Sequence, residues 1–154
     1  MKPAKSYRPF IPSLEAKLFV ALLRLSDRLA QDAEILIKSH GLTATQYNVL
    51  RILRGSGPEG LSCQRIGDRM ISRDPDMTRL LDRMEKRQLI TRERQTEDRR
   101  VIKTRITQAG LEILKKLDAI VDELHKKQFR HIPASKLKAL ADAIEEAFPT
   151  VAPE

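Results

Sequence analysis

The chain has no tryptophan, two tyrosines and four phenylalanines, so aromatics make up only 4 % of its 154 residues. A core without large rings has to be built from leucine and isoleucine. Glycine is also scarce, at 6 residues. Together these place the chain in the mostly α class. The single cysteine, Cys63, cannot close an internal disulfide, which fits a reducing compartment. No apolar run approaches the ~20 residues needed to span a bilayer. The first stretch, MKPAKSYRPFIPS, is basic but lacks a continuous apolar signal core and a small-residue cleavage site. It reads as an extended arm, kept out of helix by Pro3, Pro9 and Pro12. The expectation is a cytoplasmic protein with no membrane partner. Chemistry is missing too: there is no nucleophile elbow, phosphate loop, apolar pair of carboxylates or Cys/His cluster. His40, His125 and His131 show no ligand spacing with one another or with Cys63. No enzyme, cofactor or metal site is expected.

What the chain does have is positive charge and helical periodicity. A formal charge of +8 and a pI near 9.9 favour a polyanionic partner. Ser13 is a candidate N-cap without a capping box, since Ala16 stands three residues on. Leu14, Leu18, Leu22, Leu25, Leu29, Ala33 and Leu36 follow at helical spacing to about Ser39, and Phe19, Val20, Ile35 and Ile37 widen the stripe. A band this broad exceeds what one side of a small domain can cover. Gly41 is placed to end that helix. Thr43 caps the next, with Gln46 completing a capping box. Gly55 to Gly60 form a loop, and Ser62 caps a short helix that turns Ile66 and Met70 inward and ends near Ser72. After Thr107 a long helix carries Leu111, Leu114, Leu117, Val121 and Leu124. Pro133 breaks it, and Ser135 is the candidate cap of a last helix bearing Leu137, Leu140, Ile144 and Phe148.

Between these lies the stretch from Arg73 to Thr107. Asp74 is positioned to cap a helix with Pro75 as its first residue. Met77, Leu80, Leu81 and Met84 make one apolar face, opposite Asp76, Thr78, Arg79, Asp82, Arg83 and Lys86. The helix ends near Arg87 or Gln88. Leu89 to Arg94 and Val101 to Ile106 then read as a hairpin with a polar loop. Residues 62–105 hold 13 Lys and Arg against 8 Asp and Glu, which is +5 of the formal +8. A polar-faced helix fits the major groove of B-DNA, and a basic hairpin beside it can reach a phosphate strand or the minor groove. The plainer reading is a solvated charged helix and hairpin. Two short helices and then a hairpin make a winged helix-turn-helix. The expected organisation is an arm and dimerisation helix over 1–40, the winged region over 41–106 and further dimerisation helices over 107–154.

Three stretches carry a family resemblance. GLTATQYNVLRIL (Gly41 to Leu53) resembles the second helix of the MarR family of bacterial transcriptional regulators. DMTRLLDRMEKRQLI (Asp76 to Ile90) resembles its recognition helix and entry to the wing. EDRRVIKTRITQAG (Glu97 to Gly110) resembles the wing signature: Asp98, Arg100, then Ile106, Thr107 and Gly110. One position departs from the pattern. Gln88 stands where the family usually has a glycine, a residue that takes positive φ without penalty, so Gln88 must either bear that strain or end the helix differently. The resemblance implies a homodimer on double-stranded DNA at a pseudo-palindromic operator, usually repressing nearby genes. In many members a small, often aromatic, effector weakens operator binding; in others cysteine oxidation does so. An architectural DNA-binding protein without effector is the alternative, and a helical protein-interaction adaptor a third.

The expected roles follow. Arg73, Thr78 and Arg79 open the recognition helix, whose N-terminal residues approach base edges. Arg79 suits a bidentate guanine contact, with a phosphate as the competing partner. Arg83 and Lys86 reach the backbone at most. Asp76 and Asp82 would repel phosphate, so they are expected to orient Arg73, Arg79 or Arg83, or, for Asp76, to help cap the helix. By resemblance Arg100 enters the minor groove and Asp98 braces the wing. Arg99, Arg94 and Arg92 are candidates for the wing and its phosphate contacts, and Gln64 can meet a phosphate from the preceding helix. Cys63 is read as a small residue packed at a helix start rather than as a redox sensor.

Overall fold

The structure, a computed structural model, describes residues 12–72, 74–95 and 101–148. The chain divides into two compact units, residues 1–32 and 33–154. The described part of the first unit is the leading portion of α1 (Leu14–Ser39). Ser13 caps it, its Oγ accepting from the Ala16 N–H at 3.1 Å. Glu15 sits in the first turn, where backbone N–H donation and the Ser13 hydroxyl lower its pKa. Leu14, Leu18, Phe19, Val20, Leu23 and Leu25 are all exposed.

The second unit begins with the last turns of α1 and continues through α2 (Ala44–Gly55), α3 (Cys63–Arg69), α4 (Met77–Lys86), β1 (Ile90–Arg94), β2 (Ile102–Ile106), α5 (Gln108–Phe129) and α6 (Ala134–Ala147). Gly41 ends α1 as expected. Its φ is +81°, its N–H reaches the Lys38 carbonyl, and the Leu42 N–H reaches back to Ile37. This pattern satisfies carbonyls that a helix end leaves open. The Thr43–Gln46 capping box is complete in both directions, at 3.1 Å each. Ser62 and Thr107 cap α3 and α5, accepting from Arg65 and Gly110.

Three helix boundaries differ from the sequence reading. Asp74 does not cap the recognition helix. Its carboxylate accepts from the Asp76 N–H at 2.8 Å and closes a turn over Pro75. Asp76 is the N-cap, accepting from the Arg79 N–H, so α4 starts two residues later. Ser135 does not cap α6. Pro133 occupies the N-cap with extended ψ, its carbonyl receiving the Leu137 N–H, and Ser135 lies inside the helix. α3 stops at Arg69, short of Ser72, because the Met70 backbone turns extended.

The core joins Val49, Leu50 and Leu53 of α2, Ile66 of α3, Leu80, Leu81 and Met84 of α4, Ile90 of β1, and Leu114 and Leu117 of α5, each almost sealed from solvent. Full burial of such a side chain stabilises by roughly 1.5–3 kcal/mol. The packing is close enough to demand glycine at position 110. A Cβ there would run into the Leu89 carbonyl oxygen and lie 2.8 Å from Cγ1 of Ile106. The two strands pair antiparallel, Ile90 opposite Ile106 and Arg94 opposite Ile102. On the far edge of β2, Leu61 and Thr104 exchange backbone bonds of 3.0 and 2.8 Å, adding a one-residue third strand.

Candidate nucleic-acid interface

α4 has two unlike faces. Leu80, Leu81 and Met84 are buried, while Thr78, Arg79, Arg83 and Lys86 are exposed. The buried triplet fixes how the helix is rotated, so the polar face is presented by the core. Asp76 serves that face twice. It caps the helix and pairs with Nε of Arg79 at 3.1 Å, leaving the Arg79 side chain 81 % exposed. The orienting role expected of Asp76 toward Arg79 is thus present. The turn into α4 is held from α2, where the Asn48 side-chain oxygen accepts from the Ile71 N–H at 3.0 Å.

Asp82 departs from expectation. Its partner is Arg92 of β1, at 2.5 Å, rather than an arginine of its own helix. The same guanidinium binds Glu85 through Nε at 2.8 Å and Nη2 at 2.6 Å, and the Arg92 backbone N–H donates to Glu85 at 3.2 Å. These bonds raise the Arg92 pKa further, Glu85 contributing most. With its side chain only 23 % exposed, Arg92 is committed to α4. That corrects its assignment as a phosphate contact.

The hairpin base is tied a second time. Arg105 donates from Nε to the Pro58 carbonyl at 2.7 Å and from Nη1 to Glu93 at 2.8 Å. Arg94 is exposed at the end of β1. Gln64 and Arg65 are exposed at the start of α3, on a groove completed by Ser62, Cys63, Val101, Ile102 and Lys103. Cys63 is half-buried there. Lys103 was not singled out from the sequence, although strand alternation puts it on the face opposite Ile102 and Thr104. Arg73, Asp98, Arg99 and Arg100 lie outside the described residues.

Other supporting residues also escaped sequence reading. Arg87, just past α4, donates to the Gly41 carbonyl at 2.7 Å and to the Gln46 side chain at 3.3 Å. Asp118 of α5 accepts from the Tyr47 hydroxyl at 3.1 Å and pairs with Arg54, joining α5 to α2. Burial, and then the bond to Asp118, raise the Tyr47 pKa. Of the two outcomes open at Gln88, strain or a different helix end, the backbone takes the first. Its φ is +58°, while the Gln88 and Leu89 N–H groups close onto Glu85 and Met84, as at a glycine-terminated helix. The Thr107 hydroxyl holds its carbonyl at 2.7 Å.

The helix, turn, helix and wing are what comparison with known proteins finds. The MarR family model matches residues 42–102. The regulator MhqR of Bacillus subtilis strain 168 is 33 % identical over 98 residues, which is 64 % of this chain and 66 % of that protein's own length. CouR of Rhodococcus jostii RHA1, solved with p-coumaroyl-CoA bound, is 25 % identical with a TM-score of 0.71, covering 92 % of this chain and 99 % of CouR. A MarR transcription factor from Planctomyces limnophilus is 38 % identical with a TM-score of 0.68, covering 88 % of this chain and 98 % of that one. On that likeness, carried nearly end to end, the chain belongs to the MarR family.

Proposed function

We propose that this chain is a homodimeric, sequence-specific DNA-binding regulator that represses transcription and is released from its operator by a small aromatic ligand. The observation that carries the DNA reading is α4. Its back face is locked into the core, and its exposed face offers Thr78, Arg79 and Arg83 at the spacing of a major-groove reader. Arg79 is assigned to a guanine edge. Arg83, Arg94 and Gln64 are assigned to phosphates, which position without reading sequence. Arg73 joins the base-reading end of the helix. In the wing, Arg100 takes the minor groove, Asp98 braces it and Arg99 adds charge. Arginine is drawn to narrow A·T-rich minor grooves by their negative potential.

A second copy of the chain is the partner assigned to the apolar residues that α1 and α6 leave exposed, among them Phe19 at 63 % and Phe148 at 74 %. The effector class is supported by the aromatic acyl thioester bound to CouR. Among the described residues no helix is long and apolar enough to cross a membrane, and the site of action assigned is the cytoplasm.

Binding to the DNA just upstream of its own gene, with random DNA as competitor and across a salt series, tests this reading. Binding that resists the competitor is expected. Binding that falls equally on both DNAs as salt rises would favour an architectural protein.

A further inference from the structure

Arg92 is a basic residue on a basic hairpin, yet its guanidinium faces the protein. It lies between Asp82 and Glu85, one turn apart on α4 and both partly shielded, at 43 % and 37 % exposure. Two of its side-chain nitrogens and its backbone N–H are all bound to these carboxylates. The backbone bond matters as much as the fork. β1 is the outer strand of the hairpin, and Glu85 satisfies an N–H on its free edge. The opposite edge, on β2, is held by Leu61. The hairpin base is therefore fixed on both sides, to the loop before α3 and to α4.

We propose that Arg92 is a positioning residue for operator binding: it locks the wing to the recognition helix, so that the two reach their two grooves in one fixed geometry. The inference rests on the assignment of the wing to DNA. A planar fork donating to two carboxylates, with the Arg92 backbone N–H donating to one of them, fixes direction as well as distance, which a lone ammonium cannot do. Asp82 and Glu85 are then structural acceptors on the exposed side of a DNA-facing helix. Their charge is tolerated there because Arg92 occupies them.

Two consequences can be separated, the lock and the cancellation of charge. The test uses a duplex selected by the wild-type protein from a random-sequence library. It compares Arg92→Met, Arg92→Lys and the triple variant Arg92→Met, Asp82→Asn, Glu85→Gln. Methionine keeps the apolar stem, and a urea melt confirms that each variant is folded at the assay temperature. All three variants are expected to lose ~10-fold or more in affinity, the scale of one or two lost specific contacts. At saturating protein, hydroxyl-radical footprints should keep protection of the backbone sugars on either side of the major groove that α4 enters and lose it at the flanking minor groove. A merely destabilised protein would weaken both together.

Wild-type affinity in the triple variant or in Arg92→Lys would overturn the lock, leaving charge cancellation as the whole effect. Flanking protection that survives in Arg92→Met would overturn it as well. If the wild-type protein itself shows no flanking protection, the wing assignment fails first, and this inference falls with it.

Discussion

α4 and α6 are amphipathic helices of similar length, 10 and 14 residues, and they end in opposite situations. α4 buries Leu80, Leu81 and Met84 almost completely. α6 buries no residue and leaves Leu140 at 41 %, Ile144 at 43 % and Phe148 at 74 % exposure. Apolar stripes that look alike in the sequence thus do different work. The stripe on α4 is spent inside its own unit, where it sets the rotation of an exposed polar face. That on α6 is unspent, and what it gains must come from another surface. The same contrast runs through charge. Asp82 and Glu85 of α4 are held by a strand residue, while an ion pair on α6, Lys138 with Asp142, is local, exposed and of little energetic weight.

The comparison can be broken at its strongest point first. Leu81→Ala removes a core side chain that is 1 % exposed. A loss of about 2–5 kcal/mol in a urea melt is expected, with DNA binding lost as the unit unfolds. Ile144→Lys on α6 should do the reverse. The stability of the isolated chain should stay within about 0.5 kcal/mol, as for a surface substitution. Sedimentation should show dissociation toward monomer, with a loss of about 2 kcal/mol or more in self-association. Loss of monomer stability in that variant would mean that the α6 face is already covered within one chain.

Smaller effects sharpen the picture within the second unit. Tyr47→Phe should cost about 1 kcal/mol at neutral pH, the worth of one hydrogen bond. It should also change the alkaline limb. The folded phenol titrates above its usual value, so its contribution is complete below about pH 10, where the unfolded phenol ionises. The contribution is lost as pH rises from there through the folded pKa. A melt series from neutral to alkaline pH should show that decline in the wild type and less of it in Tyr47→Phe. Gln88→Gly should stabilise by about 0.5–1 kcal/mol, because glycine accepts a φ of +58° without the Cβ penalty. No gain would mean that the Gln88 side chain compensates for its own strain.

The parts of the fold legible in the sequence are those governed by neighbours three and four residues apart. Thr43 with Gln46, Gly41 after α1, the Met77–Leu80–Leu81–Met84 face and the capping Thr107 all have this local character. At Gln88 the family resemblance left two outcomes open, strain or a different helix end, and the φ of +58° is the first. The boundaries at Asp74 and Ser135 failed because neighbouring groups competed for the cap. Asp76, read from the sequence only as a helper in capping, took the cap of α4 alone, and Pro133 took the cap position of α6 without a side-chain bond. The long-range pairs could not be read at all. Arg87 meets Gly41 across 46 residues, Tyr47 meets Asp118 across 71, and Arg92 turns back onto α4. Periodicity placed each of these residues on an element without saying which other element it would face. That is why Arg92 resembled a phosphate contact until its partners were located.

The most direct measurement is the affinity of Arg79→Ala for the selected duplex and for random DNA, side by side. If α4 reads base edges through Arg79, the variant should lose about 1–3 kcal/mol on the selected duplex and little on random DNA, narrowing the preference between them. An equal loss on both would contradict base reading by Arg79 and leave it a phosphate contact.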